Sequence, residues 1–199
     1  MKTAIVNTST ANIASVMYAL DRVKADYVLA QTPKDAQSAD RLILPGVGAA
    51  APAMKYLQNS GWSEALKAEE RPVLGICLGM QLLFDWSEES NCALLGLIPG
   101  KVTRLPNESS DPWPHMGWNK LKRVSDDNEL MQGICEPAFV YFVHGYYVEE
   151  KACTLALAQY GVCLSAIVQR NNIYGCQFHP ERSSKTGAQI LNNFLLIKQ

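Results

Sequence analysis

Two short runs, far apart in the chain, hold the residues best suited to nucleophilic chemistry. In Val73-Leu74-Gly75-Ile76-Cys77-Leu78-Gly79-Met80-Gln81 an apolar strand ends on a cysteine, with glycines two residues before it and two after. This is the thiol form of the sharp strand-to-helix turn that exposes a nucleophile. Side chains would crowd such a turn at its flanking positions, so Gly75 and Gly79 make steric sense. The turn would set Cys77 at the start of the next helix, where unpaired N–H groups and the macrodipole favour an anion such as a thiolate. The Leu78 N–H points the same way, as a natural oxyanion donor. Gln81, one helical turn on, shares the Cys77 face and could hold a substrate near the sulfur.

The second run is Gln177-Phe178-His179-Pro180-Glu181. Pro180 biases His179 toward extended geometry, and in an extended segment residues two apart face the same side. His179 and Glu181 are therefore expected to point together into a cleft while Phe178 packs the other way. A carboxylate beside an imidazole fixes its tautomer and stabilises the imidazolium, the orienting role in a catalytic triad. A third feature is Pro45-Gly46-Val47-Gly48-Ala49-Ala50-Ala51, which formally matches a dinucleotide-binding fingerprint. That fingerprint belongs to the first strand-helix turn with an acidic residue some 20 positions on, and neither condition holds. The better reading is a glycine loop whose Val47 N–H faces the thiolate as a second oxyanion donor, with glycines on both sides letting that peptide rotate.

The elements needed to position these runs are legible in the first half. Ala4–Asn7, Tyr27–Ala30, Arg41–Leu44 and Pro72–Ile76 are short apolar runs. Helical patterns lie between them, around Ile13 to Leu20 and over Ala49–Asn59, and another starts at Leu78. Such alternation indicates an α/β fold with a mostly parallel central sheet covered on both faces. The second half changes character. Val102–Arg104, Lys120–Val124, Ala138–Val143 and Thr154–Tyr160 read as strands without intervening helices, and Leu164–Gln169 and Ile173–Phe178 flank a hairpin turn at Arg170-Asn171-Asn172. A last helix is expected from about Ser184, as N-cap, through Leu195. The expectation is one domain over residues 1–199, flanked by helices, with an antiparallel extension.

Composition narrows the function classes. With 199 residues, 48% hydrophobic and a formal net charge of -1, the chain suits a single core and has no electrostatic footprint for nucleic acid or an anionic membrane. No apolar run approaches the roughly 20 residues that span a bilayer. The N-terminus, which enters a strand at once, lacks a signal peptide's apolar region, so a cytoplasmic location is expected. The six cysteines are scattered and include no C-x-x-C pair. Neither a disulfide framework nor a four-ligand metal site is therefore expected, and the five other than Cys77 are read as buried small hydrophobes.

GICLGMQ, FHPE and PGVG resemble the class-I (triad) glutamine amidotransferases, and the resemblance covers essentially the whole chain. Pro114-His115-Met116-Gly117-Trp118-Asn119, Tyr141-Phe142-Val143-His144-Gly145-Tyr146 and Glu88-Glu89-Ser90-Asn91 resemble one branch, the glutaminase subunit of imidazole glycerol phosphate synthase. The resemblance implies Cys77 as nucleophile, His179 as general base and acid, and Glu181 as its orienter, with Val47 and Leu78 forming the oxyanion hole. It implies that Gly48, Gln81, Gly145 and Tyr146 hold the α-groups of L-glutamine. It places Asn12, Trp118, Tyr141 and Arg182 near the interface with a cyclase subunit and the ammonia exit. No cofactor or metal is implied for glutamine hydrolysis. Two positions depart from the family pattern: Gly145 stands where serine is usual, and Ala11 where a glycine often precedes the asparagine. The alternatives are a different enzyme on the same site, such as a peptidase or the glutaminase of another synthase, and a non-catalytic partner that regulates the cyclase. PHMGWN speaks against the first and an intact triad against the second.

Overall fold

The computed structural model describes residues 1–9, 12–107, 111–124 and 128–198. Ala11 lies outside the described residues. In chain order the elements are β1 (Lys2–Val6), α1 (Ile13–Arg22), β2 (Asp26–Ala30), β3 (Arg41–Gly46), α2 (Ala50–Asn59), α3 (Trp62–Lys67), β4 (Val73–Cys77) and α4 (Leu78–Leu82). The short strands β5 (Trp86–Ser87), β6 (Cys92–Ala93) and β7 (Lys101–Arg104) follow, then β8 (His115–Lys120), β9 (Lys122–Arg123), β10 (Phe139–His144) and β11 (Tyr146–Tyr147). The chain closes with β12 (Thr154–Tyr160), β13 (Val162–Arg170), β14 (Ile173–Cys176) and α5 (Ser184–Leu196).

The main sheet runs β2-β1-β3-β4-β14-β13-β12-β9. From β2 to β14 every pair is parallel, and from β14 to β9 every pair is antiparallel. The expected parallel sheet and antiparallel extension are thus one continuous surface, with β14 as the strand that belongs to both. Alternation along the strands builds two cores. Ile5, Ile43, Leu74 and Ile76 face one side with Val16, Leu20, Ile190 and Phe194 of α1 and α5. Ala4, Val6, Leu42, Leu44 and Val73 face the other with Met54, Leu57, Trp62 and Leu66 of α2 and α3. Period-two alternation fits a strand buried on both faces when both faces carry helices. Among the described residues no helix is long and apolar enough to cross a membrane.

Several boundaries differ from the sequence reading. β3 continues through Pro45 and Gly46 instead of stopping before them, because Pro45 still aligns with Ile76 and Gly46 with Cys77 in the parallel register. The stretch expected as one strand over Lys120–Val124 is split at Leu121. His115–Lys120 pairs antiparallel with β10, whereas Lys122 and Arg123 join the main sheet beside β12. Ser184 is the first residue of α5 and not its N-cap. The cap position is Ser183, which makes no side-chain cap bond; its hydroxyl donates to the His179 carbonyl at 2.7 Å and accepts from the Tyr141 N–H at 2.9 Å. Arg41, read simply as a strand residue, is almost fully buried and donates to the Phe194 and Ile197 carbonyls at 2.8 and 3.1 Å. It thereby satisfies carbonyls that the end of a helix leaves unpaired. The cysteines are all free, but only Cys77 and Cys176 are buried, and Cys135 and Cys163 are exposed. The expectation of five buried thiols therefore fails, since Cys135 lies exposed in the segment before β10 and Cys163 is exposed near the start of β13.

Candidate active site

The C-terminal ends of three neighbouring strands, β3, β4 and β14, converge on one cleft. This is where open α/β sheets place their ligands. Gly46 is the register partner of Cys77, and Cys176 that of Ile76. With adjacent strands about 4.8 Å apart, the glycine loop, the cysteine and the segment leading to His179 are side by side before any side chain is considered.

Cys77 sits on the turn from β4 to α4 with φ 53° and ψ -112°, a conformation that non-glycine residues seldom adopt. Strain of this kind persists only where the surroundings enforce it, and they do so here through contact. A Cβ on Gly79 would lie 1.7 Å from the Leu44 carbonyl oxygen, and one on Gly75 would lie 2.7 Å from the Gly79 carbonyl and the Met80 Cα. Both flanking glycines are therefore required by close approach, as the sequence suggested. The Cys77 Sγ lies 3.8 Å from the Val143 carbonyl and 3.9 Å from Gln177 Nε2, and the residue is only 6% exposed.

His179 Nδ1 lies 2.7 Å from Glu181 Oε1, and both side chains are buried. The expected pairing is present, but its backbone differs. The extended geometry ends at His179 (φ -96°, ψ 97°), and Pro180–Arg182 form a 3-10 turn. Proline fits the first position of such a turn, where its missing N–H costs nothing. Burial by itself would strip the proton from His179. The Cys77 sulfur and the Glu181 carboxylate both favour the charged ring and outweigh burial, raising its pKa from 6.5 to about 10. Of the contacts that favour the proton, hydrogen bonding with the Cys77 sulfur is the largest and that with Glu181 comes next, although Nε2 has no partner in strict hydrogen-bond geometry among the described residues. The ring is held as imidazolium across neutral pH.

Val47, Gly48, Cys77, Leu78, Gln81, Glu89, Val143, His144, Gly145, Tyr146 and His179 line a cavity of about 200 Å³ at this point. That volume suits a ligand of amino-acid size, below the range of drug-sized sites. All the residues expected to bear the chemistry or hold substrate, other than the orienting Glu181, border this space. The two loop glycines have different reasons to be glycine. Gly48 has φ +87° with open space around a hypothetical Cβ, whereas a Cβ on Gly46 would meet Gly79 N and Leu78 Cβ at 2.9 Å. The freedom expected on both sides of Val47 therefore exists on the Gly48 side, and Gly46 is a packing requirement of the elbow. Gln81 is tied down, its Nε2 donating to the Tyr146 carbonyl at 2.9 Å and to Gln177 Oε1 at 3.0 Å.

His144 also borders the cavity, and its bonding excludes it as the base. The Tyr146 carbonyl can only accept, so His144 Nδ1 donates to it at 2.7 Å. Neutral His144 then accepts at Nε2 from His115 Nδ1 at 3.0 Å. His115 Nε2 faces Asn119 Nδ2 at 3.3 Å, and the same amide donates to the Gln159 carbonyl at 2.9 Å. The proton order of this chain is fixed by the carbonyls at its two ends. Burial keeps both rings neutral, lowering the pKa of His115 to about 4 and, helped by its neighbour His115, that of His144 to about 3.

Of the expected interface residues, Trp118 and Tyr141 are register partners on β8 and β10, with ring centroids 6.0 Å apart, and the Arg182 guanidinium lies 5.9 Å from the Tyr141 ring. Trp118 is 54% exposed. Asn12 is elsewhere: it caps α1 through Ser15 N and borders a small crevice with Val47, His179 and Glu181. The patch connects to the base through backbone, since the His179 N–H donates to the Tyr141 carbonyl at 3.0 Å. Besides His144, two residues of the site carried no chemical assignment in the sequence reading. Glu89 lines the cavity while its carboxylate accepts from the Ala50 N–H at 2.8 Å, and buried Gln177 links Gln81 to Cys77. Gln177 stood next to the FHPE run, but nothing in its spacing marks it. Among the described residues no cluster of His, Cys, Asp or Glu is arranged to hold a metal ion.

Residues 4–198 match the family profile described as glutamine amidotransferase class-I. The chain belongs to this family. Within it, this amidotransferase is 48% identical over 191 residues to imidazole glycerol phosphate synthase subunit HisH of Pasteurella multocida, covering 96% of each chain. It is 45% identical to the HisH of Mannheimia succiniciproducens over 96% of this chain and 97% of that one, and 44% identical to that of Haemophilus influenzae over 96% and 95%. Solved structures share the fold at low identity. One titled as a glutamine amidotransferase superposes with a TM-score of 0.74 at 16% identity over 96% of both chains. The structure of PurLQS from Thermotoga maritima gives 0.73 at 18% identity, over 98% of this chain and 97% of that one. The chain is a glutamine amidotransferase of the HisH group, and the relatives' names describe a subunit of a larger synthase.

Proposed function

We propose that this cytoplasmic chain is the glutaminase half of imidazole glycerol phosphate synthase, with Cys77, His179 and Glu181 as its triad and a cyclase subunit as its partner. The observation that carries the assignment is the convergence of three strand ends, which sets an elbow cysteine, a carboxylate-paired imidazolium and a glycine loop around one amino-acid-sized cavity.

The Cys77 thiolate attacks the side-chain amide carbon of L-glutamine, and the resulting oxyanion is met by the Val47 and Leu78 N–H groups. His179 gives its Nε2 proton to the amide nitrogen, the C–N bond breaks, and ammonia leaves a glutamyl thioester. The neutral ring then takes a proton from water as the oxygen attacks the thioester carbon. The C–S bond breaks, glutamate departs, and thiolate and imidazolium are restored. Glu181 holds the ring in register throughout and stabilises its charge. Gly48, Gln81, Gly145 and Tyr146 hold the α-groups, and the Glu89 carboxylate in the same cavity complements the α-ammonium. The partner docks against Trp118, Tyr141 and Arg182, with Asn12 close to the triad, and uses the ammonia to convert PRFAR into imidazole glycerol phosphate and AICAR.

The test is Cys77→Ala in the complex with the cyclase. Glutamine-dependent synthesis is expected to disappear while synthesis from added ammonium salt continues. Equal loss of both, with the chains still associated, would refute the division of labour.

A further inference from the structure

Gly145, between β10 and β11, and Tyr146, the first residue of β11, form a two-residue ledge at the cavity wall, and each of their carbonyls is held twice. The Tyr146 carbonyl accepts from Gln81 Nε2 and His144 Nδ1. The Gly145 carbonyl accepts from the Leu105 N–H at 2.9 Å and from the indole Nε1 of Trp113 at 2.8 Å. Trp113 does for the first peptide what Gln81 does for the second, although it reaches the ledge from outside the cavity.

The indole also takes the space that a side chain at position 145 would need. A Cβ on Gly145 would lie 2.5 Å from Trp113 Cζ2, 2.7 Å from Cε2 and 2.8 Å from Nε1. Gly145 is not among the residues with positive φ. Glycine is thus needed for contact with the ring and not for backbone conformation. The ring is itself braced: the Arg104 guanidinium lies 4.7 Å from it, and the Trp113 N–H donates to Asn107 Oδ1 at 3.1 Å.

We propose that Trp113 is a positioning residue for glutamine, a buttress matched to the missing side chain of Gly145. A trans peptide sets its N–H opposite its C=O. Holding the Gly145 carbonyl against Trp113 and Leu105 therefore aims the Tyr146 N–H away from them, as a donor suited to the glutamine α-carboxylate. The inference rests on the glutaminase reading above and adds to it the residue that orients the substrate-holding peptide.

The test is a double-variant cycle in the complex with the cyclase, reading KM and kcat for glutamine, with ammonium-supported synthesis and melting temperature as controls for assembly and folding. Trp113→Ala, which loses both the packing of the ring and a hydrogen bond worth about fivefold, is expected to raise the glutamine KM by more than that factor, with kcat little changed. Trp113→Phe, which keeps the ring but loses the N–H, should raise it less than Trp113→Ala. Gly145→Ser alone forces the indole aside and should raise KM at least about tenfold. Combined with Trp113→Ala, the serine gains room, and KM should fall below that of Gly145→Ser alone. Additive effects in the double variant, or an unchanged KM in Trp113→Ala, would overturn the buttress while the glutaminase reading stands. A wild-type complex that uses ammonium but never glutamine would overturn both. If Gly145→Ser fails to fold, the order Trp113→Ala above Trp113→Phe above wild type in KM decides the matter.

Discussion

The three histidines of the chain lie in two buried clusters that border the same cavity, and they differ in charge. On one wall His179 faces a carboxylate at 2.7 Å and a sulfur, and keeps its proton to about pH 10. On the other, His144 faces a carbonyl and a second imidazole, and it and His115 stay neutral down to about pH 3 and 4. Burial disfavours the charged ring in all three. What separates them is whether the nearby anions outweigh that cost: the Cys77 sulfur and the Glu181 carboxylate do so at His179, whereas the Asp111 charge acting on His115 does not. The charged ring does the proton transfer. The neutral pair works as a spacer whose bonds run from the Tyr146 carbonyl to the Gln159 carbonyl and hold the substrate ledge in place.

The strongest way to break this contrast is to remove the anion. Glu181→Gln keeps the shape beside His179 but withdraws the charge, so glutamine hydrolysis should fall by about 10²–10⁴, with ammonium-supported synthesis as the control. A near-wild-type rate would mean that another group orients the ring. Gly48→Val comes next. It meets no steric obstacle, yet it puts a β-branched residue at φ +87°, so the loop carrying the Val47 N–H must change course. Loss of one oxyanion donor lowers the rate by about 10²–10³. Cyclase binding should survive, and unimpaired stimulation of glutamine hydrolysis by the cyclase and its ligand would remove Val47 from the oxyanion hole.

A smaller effect sharpens the comparison through pH. His115 and His144 have folded-state pKa values below the ordinary 6.5, so the unfolded chain takes up protons first as pH falls. Their contribution to stability is complete above about pH 6.5 and drains away as pH drops toward 4 and 3. His179 has a raised value, so its contribution is complete below about pH 6.5 and is lost as pH rises through about 10. Urea unfolding followed from pH 4 to 10 should therefore show His115→Asn flattening the acid limb and Glu181→Gln flattening the alkaline one. Nitrogen chemical shifts of the rings should report one imidazolium and two neutral rings at pH 7. Two imidazolium signals would undo the contrast.

Much of the catalytic wall was legible in the sequence because its constraints are local. An apolar strand, two glycines that cannot carry a Cβ and a cysteine between them define the elbow within nine residues, and His179, Pro180 and Glu181 are consecutive. The ledge was less legible because its constraints are long-range. Nothing near Gly145 announces Trp113, and nothing near Gln81 announces Gln177. The PHMGWN stretch lacks the apolar alternation of a strand, yet pairing with β10 makes it one, and burial of His115 between Phe142 and Tyr160, with ring centroids at 4.5 and 4.0 Å, supplies the packing. Gly46 and Gly48 look equivalent in sequence; only the approach of α4 to β3 distinguishes a glycine needed for space from one needed for its backbone.

The most direct measurement is covalent trapping of the nucleophile. The complex is treated with a glutamine analogue that carries an electrophilic carbon in place of the side-chain amide, digested, and its six cysteines are mapped by mass spectrometry. One adduct per chain is expected, on Cys77, suppressed by excess L-glutamine and absent from Cys77→Ala, while Cys176, only a strand end away, stays unmodified because burial and the nearby Glu181 carboxylate push its thiol pKa far up. An adduct on any other cysteine with Cys77 untouched, or labelling of Cys77 that glutamine does not suppress, would contradict the assignment of this cleft as the glutaminase site.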